Sequence, residues 1–116
     1  MLAAPEVVRQ FLIYNEAIKN KASSSIDEYF RDLQTFFRYI KLTRGKVLDD
    51  TEFDRIEIND VDIDLIKTIK VHDLYAYLVY CKDDRSNNST TRARKVSSLK
   101  QFFKYLTLNT HQLDEN

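Results

Sequence analysis

The chain is poor in turn-forming residues, with one glycine and one proline among 116 residues. Sandwiches and barrels need many tight turns built from Gly, Pro, Asn and Asp. Their scarcity argues against those folds and favours long helices with few connections. A single cysteine, Cys81, rules out an intrachain disulfide and fits a reduced, half-buried thiol in a cytosolic protein. The opening Met-Leu-Ala-Ala-Pro-Glu has no basic segment leading into an apolar one, so no signal peptide is expected. No apolar run approaches the roughly 18 residues that cross a bilayer. These absences predict a soluble, cytoplasmic protein without a membrane partner. What is present is 43% hydrophobic and 31% charged residues, enough for one modest core in one soluble domain.

Bases and acids balance at 18 each, but they are not evenly spread. Eight acids and one base, Arg55, fall between Asp49 and Asp64; six bases and no acid fall between Arg85 and Lys104. Only charge within a Debye length of about 8–10 Å acts on a partner, so a neutral but bipolar molecule can still offer a cationic face to a polyanion.

Four helical segments are expected. The first runs from Pro5, which suits a first helical turn, to Lys19, with Val7, Phe11, Tyr14 and Ile18 at helical spacing. The second runs from Ser25 to Leu42. Ser23, Ser24 and Ser25 offer capping hydroxyls, Asp27 and Glu28 suit the positive end of the helix dipole, and Gly45 supplies a stop. Its apolar stripe is Ile26, Tyr29, Phe30, Leu33, Phe36, Phe37 and Ile40. A long acidic connection, 43–68, alternates apolar and charged residues and reads as an extended loop with one short helical turn near Asp62–Ile66. The third helix spans Val71 to Asp83, with Val71, Leu74, Tyr75 and Leu78 inward. After a polar turn at 83–88, Asn88 or Ser89 caps a fourth helix that reaches Leu108. Its seam is Val96, Leu99, Phe103 and Leu106, widened by Phe102 and Tyr105.

Catalytic patterns are scarce. His72 and His111 lack ligand spacing to each other or to Cys81, so no metal site is expected. Neither a G-x-x-x-x-G-K nor a G-x-G-x-x-G cradle is present, and the acidic stretch lacks the central glycine of a calcium loop. No cofactor, no small-molecule substrate and no catalytic residue is expected. The basic signal is stronger. On a wheel of the fourth helix Thr90, Arg94, Ser97, Gln101 and Lys104 lie opposite the apolar seam, flanked by Lys95 and Ser98. An ordinary solvated face mixes signs, whereas this one carries no acid. Long cations suit phosphates, and short polar groups with an amide suit base edges. The comparable side of the second helix, with Ser24, Asp27, Arg31, Gln34, Arg38 and Lys41, does mix signs.

Two segments resemble a known family. Ser25-Ile26-Asp27-Glu28-Tyr29-Phe30-Arg31-Asp32-Leu33-Gln34-Thr35-Phe36-Phe37-Arg38-Tyr39-Ile40 is similar to the second helix of the SAM-like core-binding domain of tyrosine recombinases and phage-type integrases. Ser89-Thr90-Thr91-Arg92-Ala93-Arg94-Lys95-Val96-Ser97-Ser98-Leu99-Lys100-Gln101-Phe102-Phe103-Lys104-Tyr105-Leu106 is similar to that domain's last long helix. The likeness spans Pro5 to Leu108. It implies an all-α, orthogonal SAM-like bundle of four main helices, with a long acidic loop between helices two and three. It further implies a core-binding domain over 1–108 and a linker over 109–116 towards a catalytic domain absent from this chain. By the same likeness the domain clamps double-stranded DNA during recombination or integration, beside other recombinase protomers. Arg94, Lys95, Ser97, Ser98 and Gln101 would face the duplex, with Arg92, Lys100 and Lys104 at its backbone. Ser24, Arg31, Gln34 and Arg38 would join them from the second helix, and Ser23 and Ser25 would meet a phosphate. The family's nucleophilic tyrosine and its Arg, Lys and His-x-x-Arg partners belong to the catalytic domain, so none of the seven tyrosines here takes that role and the chain is not expected to be an enzyme by itself. The acidic insertion exceeds the usual connection. The rival expectation is a helical protein-interaction module without DNA binding, marked by an exposed apolar patch such as Phe102 and Tyr105.

Overall fold

The computed structural model describes residues 4–113, which form helices and connections and, among the described residues, no strand. The chain divides into two compact units, Met1–Asp62 and Ile63–Asn116. The expected all-α class holds. So do the four main helices, joined by one short helix and two short turns of other helical types.

In the first unit α1 (Glu6–Ala17) and α2 (Ser23–Thr43) pair. Pro5 stands just before α1 and its carbonyl accepts from Val8 and Arg9 N–H at 3.0 and 2.9 Å, so its missing N–H costs nothing. Val7, Val8, Phe11 and Leu12 are buried. Ile18, expected on the same face, lies past the helix end and is 66% exposed. Helix α2 begins two residues earlier than the serine pattern predicts. Ala22 is its cap residue and makes no side-chain bond, so Ser23, Ser24 and Ser25 form the first turn instead of capping it. The stripe of Ile26, Leu33, Phe36, Phe37 and Ile40 is buried as expected, with Tyr29 and Phe30 half-buried. Phe11 and Tyr29 rings meet at 5.5 Å between α1 and α2. Gly45, at φ 66°, ends the helix. Lys46 N–H donates to Lys41 O and Gly45 N–H to Leu42 O, a paired closure that left-handed glycine permits.

The acidic connection alternates as its sequence does, but without a partner strand. Ile56, Ile58 and Val61 point inward while Glu57, Asn59 and Asp60 stay exposed. The inner carbonyls find donors on α2: Arg38 Nε donates to Ile56 O at 2.9 Å and Lys41 Nζ to Glu57 O at 2.6 Å. A 3-10 turn at Phe53–Arg55 precedes this stretch.

The second unit contains α3 (Ile63–Lys67), α4 (Val71–Asp83) and α5 (Ser89–Lys104), the last extended by a π turn at Tyr105–Asn109. Helix α3 is the short turn expected near Asp62–Ile66, and α4 keeps its predicted bounds. The inward face of α4 does not follow the pattern. Tyr77 and Cys81 are fully buried, Leu74 and Leu78 are half-buried, and Val71 and Tyr75 are 59% and 66% exposed. The run Leu74-Tyr75-Ala76-Tyr77-Leu78-Val79-Tyr80-Cys81 is apolar on every side of a helix, so periodicity alone does not choose the buried face. Asn88 caps α5, its side chain accepting from Thr91 N–H at 2.8 Å. Helix α5 is rotated relative to its expected seam: Lys95, Ser98, Leu99 and Phe102 are buried, while Val96 and Phe103 are half-buried.

Phe36 is fully buried beside Phe37, with ring centroids 5.3 Å apart. Phe36→Ala is expected to destabilise the fold by about 3–5 kcal/mol, read as a lower urea midpoint with an unchanged slope.

Candidate nucleic-acid interface

Helix α5 has no Asp or Glu in its 16 residues. Thr90, Arg94, Ser97, Lys100, Gln101 and Lys104 are all exposed. At a rise of about 1.5 Å per residue the stripe from Thr90 to Lys104 runs about 21 Å, a length and width that a major groove accommodates. Arg92 is half-buried and donates from Nη1 to Asn87 O at 2.6 Å, which leaves its guanidinium near the N-terminal end of the stripe.

Two expected members leave this face. Lys95 is only 6% exposed; its stem is buried and its Nζ donates to Asn87 Oδ1 at 2.6 Å. Ser98 is 3% exposed. Both sit on the inward side because α5 turns its 95–98–102 edge inward, where the sequence wheel had centred the seam on Val96, Leu99 and Phe103. Asn87 thus holds both Arg92 and Lys95 from the polar turn, a role that no feature of the sequence marks.

On α2, Ser23, Ser24 and Arg31 are exposed, and Ser25 and Gln34 are half-buried. Arg38 and Lys41 are committed elsewhere. Besides its bond to Ile56 O, the Arg38 guanidinium lies 4.0 Å from Asp54. Lys41, 7% exposed, reaches Asp60 Oδ1 at 2.8 Å as well as Glu57 O. The lower end of the α2 polar side therefore fastens the acidic connection, and the residues of that side that remain exposed are Ser23, Ser24, Asp27 and Arg31. The two units carry separate surfaces, one on α5 and a smaller one on the first turns of α2.

No group of three or more metal-ligating side chains occurs among the described residues, and no described helix is long and apolar enough to cross a membrane. Cys81 is buried.

Residues 57–109, which take in all of α3, α4 and α5, match the model described as phage integrase, N-terminal SAM-like domain. Over that stretch the chain is similar to the phage-integrase N-terminal SAM-like family. The match begins after α2, so the likeness of the second helix rests on a longer comparison: Tyrosine recombinase XerC of Caldanaerobacter subterraneus subsp. tengcongensis is 44% identical over 115 residues. That alignment covers 99% of this chain and 33% of the relative, so the chain spans about a third of the length of the recombinase it resembles. No solved structure matches.

The Lys41 bond, opposed by partial burial, holds the Asp60 carboxyl below its ordinary value of 3.8. The unfolded chain then takes up this proton more readily than the folded one. The stabilisation from the pair is complete above about pH 4 and is lost as pH falls through the depressed folded value. Asp60 is 69% exposed on its side chain, so Asp60→Asn is expected to cost less than about 1 kcal/mol and to flatten that acid limb. Lys41→Met, which leaves the Glu57 carbonyl without its donor, is expected to cost about 1–3 kcal/mol. Thermal unfolding between neutral pH and pH 3 reads both.

Proposed function

We propose that this chain is the DNA-binding, core-binding module of a site-specific tyrosine recombinase or integrase, clamping duplex DNA at a recombination site alongside further protomers. The observation that carries this reading is the exposed, acid-free stripe of α5, in a segment that matches the family. Arg94, Lys100 and Lys104 supply phosphate contacts from the stripe and Arg92 from its edge, while Ser97 and Gln101 reach towards base edges. Thr90 adds a hydroxyl near the N-terminal end. From α2, Arg31 and the serines of the first turn engage the backbone, with Gln34 beside them. Lys95, Ser98 and Arg38 are left out of the proposed contact set because their polar groups serve the fold.

In this reading residues 1–108 are the core-binding domain and 109–116 a linker towards a catalytic domain; residues 114–116 of that linker, and residues 1–3, lie outside those described. Strand cleavage belongs to the catalytic domain, and this chain contributes grip and register. It works in the cytoplasm and needs no cofactor. The rival protein-interaction reading named Phe102 and Tyr105 as its uncovered patch, and both are buried.

Five cations remain for DNA: Arg31, Arg92, Arg94, Lys100 and Lys104. Each neutralised phosphate releases condensed counterions, so log K should fall against log salt with a slope of about −4 to −5. Anisotropy of a labelled duplex titrated with the chain at several salt concentrations measures it, and a flat salt response would refute the proposal. Arg94→Ala should weaken binding several-fold and reduce the slope by about 1 without changing the unfolding midpoint. Lys95→Met should leave the slope unchanged.

A further inference from the structure

The outward side of α5 is more ordered than a row of cations. At about 3.6 residues per turn its exposed residues fall on three parallel ridges, each of i, i+4 spacing. The middle ridge is Ala93, Ser97 and Gln101. Thr90 and Arg94 lie on one side of it, Lys100 and Lys104 on the other, and all seven residues are exposed. Charge therefore sits on the flanks, while the crown offers a methyl, a hydroxyl and a carboxamide over about 12 Å of helix. This crown faces away from the core, because Leu99, Phe102 and Leu106 are buried on the opposite side. The rotation is pinned at the N-terminal end, where Asn87 takes the side chains of Arg92 and Lys95.

The major groove of duplex DNA is laid out the same way, with phosphates along both walls and base edges on the floor. A helix that served charge neutralisation alone would gain from a cation on its crown as well. The crown of α5 holds none, and what it holds suits particular bases. The Gln101 carboxamide offers an acceptor and a donor side by side. In the major groove only adenine presents the reciprocal donor and acceptor, N6–H and N7, on one base; guanine presents two acceptors, cytosine a donor, and thymine an acceptor with a methyl. Ala93, a bare methyl two turns earlier, suits a thymine methyl. At about 3.4 Å per base pair, the distance from Ala93 to Gln101 spans about three or four base pairs. We infer that Gln101 is the specificity-determining residue of α5 and reads an adenine, Oε1 accepting from N6–H and Nε2 donating to N7. Ala93 lies against a thymine about three or four base pairs away, with Ser97 between them. This inference rests on the DNA-binding reading above and adds to it the bases that α5 selects.

A library of duplexes with a randomised window, selected at low salt on this chain and sequenced, reads the preference directly. The expected motif has an adenine, with a thymine about three or four base pairs from it. Gln101→Arg should convert that adenine alone to guanine, whose two acceptors suit a guanidinium; a folding defect does not create a new preference. On the selected duplex, 7-deazaadenine in place of the adenine should weaken the wild-type chain by on the order of tenfold and leave Gln101→Ala indifferent. Uracil in place of the thymine, which removes only the methyl, should weaken the wild-type chain by about threefold. A motif without the adenine, or one that Gln101→Arg does not shift, overturns the base assignment, and indifference to uracil overturns the part given to Ala93. If the steep salt slope of about −4 to −5 persists in those cases, the DNA-binding reading stands; a flat salt response with no enriched motif sinks both.

Discussion

Two side chains of α2, Arg38 and Lys41, hold the acidic connection in place, and much of the first unit follows from that clasp. The connection has the alternation of a strand and a buried edge of Ile56, Ile58 and Val61. A strand needs a neighbour to satisfy its carbonyls. Here the donors are a guanidinium and an ammonium, which reach Ile56 O and Glu57 O from the helix. Charged donors make stronger bonds to carbonyls than neutral ones, and Lys41 adds the Asp60 carboxylate to the same knot. The excess of acid in the insertion is thereby partly neutralised at its base, while Asp49 and Asp50 remain at the tip.

The cost of this arrangement falls on α2 as a binding surface. A cation that fastens a loop is not available to a phosphate, and Lys41 is buried. The cationic stripe of α5 is shaped by a similar division of labour. Asn87 takes the heads of Arg92 and Lys95, which lets a lysine stem lie among apolar neighbours while its ammonium stays hydrogen-bonded. What remains on the outer side of α5 is a row of groups without a carboxylate among them. Such a row is unfavourable to place on an isolated helix, because like charges four residues apart repel. It becomes favourable against a polyanion, where each phosphate replaces a counterion.

The second unit also shows how an element can be right in extent and wrong in facing. Helix α4 is apolar nearly all round, so its bounds were legible and its orientation was not. Its buried positions, Tyr77 and Cys81, are four apart, as are Val71 and Tyr75 on the exposed edge; both pairs satisfy a helical period. Which pair turns inward depends on the shape offered by neighbouring elements. The consequence is an open groove with a lysine rim in a segment that matches the phage-integrase N-terminal family.

By itself the sequence determined the helical class, the bounds of α4, the cap at Asn88, the stop at Gly45 and the separation of acidic from basic charge. These are local: they depend on turn chemistry, on the absence of glycine and proline from long stretches, and on which residue types lie three or four apart. The family likeness was legible for the same reason, since it resides in the order and spacing of Ser/Thr, Arg and aromatics along two helices. The tertiary structure alone decided the rotation of α4 and α5, the burial of Lys95 and Ser98, and the engagement of Arg38 and Lys41 with the acidic connection. A helical wheel gives the angle between two side chains but not the direction of the core. That direction is set by elements far away in sequence, and a lysine or arginine carries enough methylene stem to lie on either side of it.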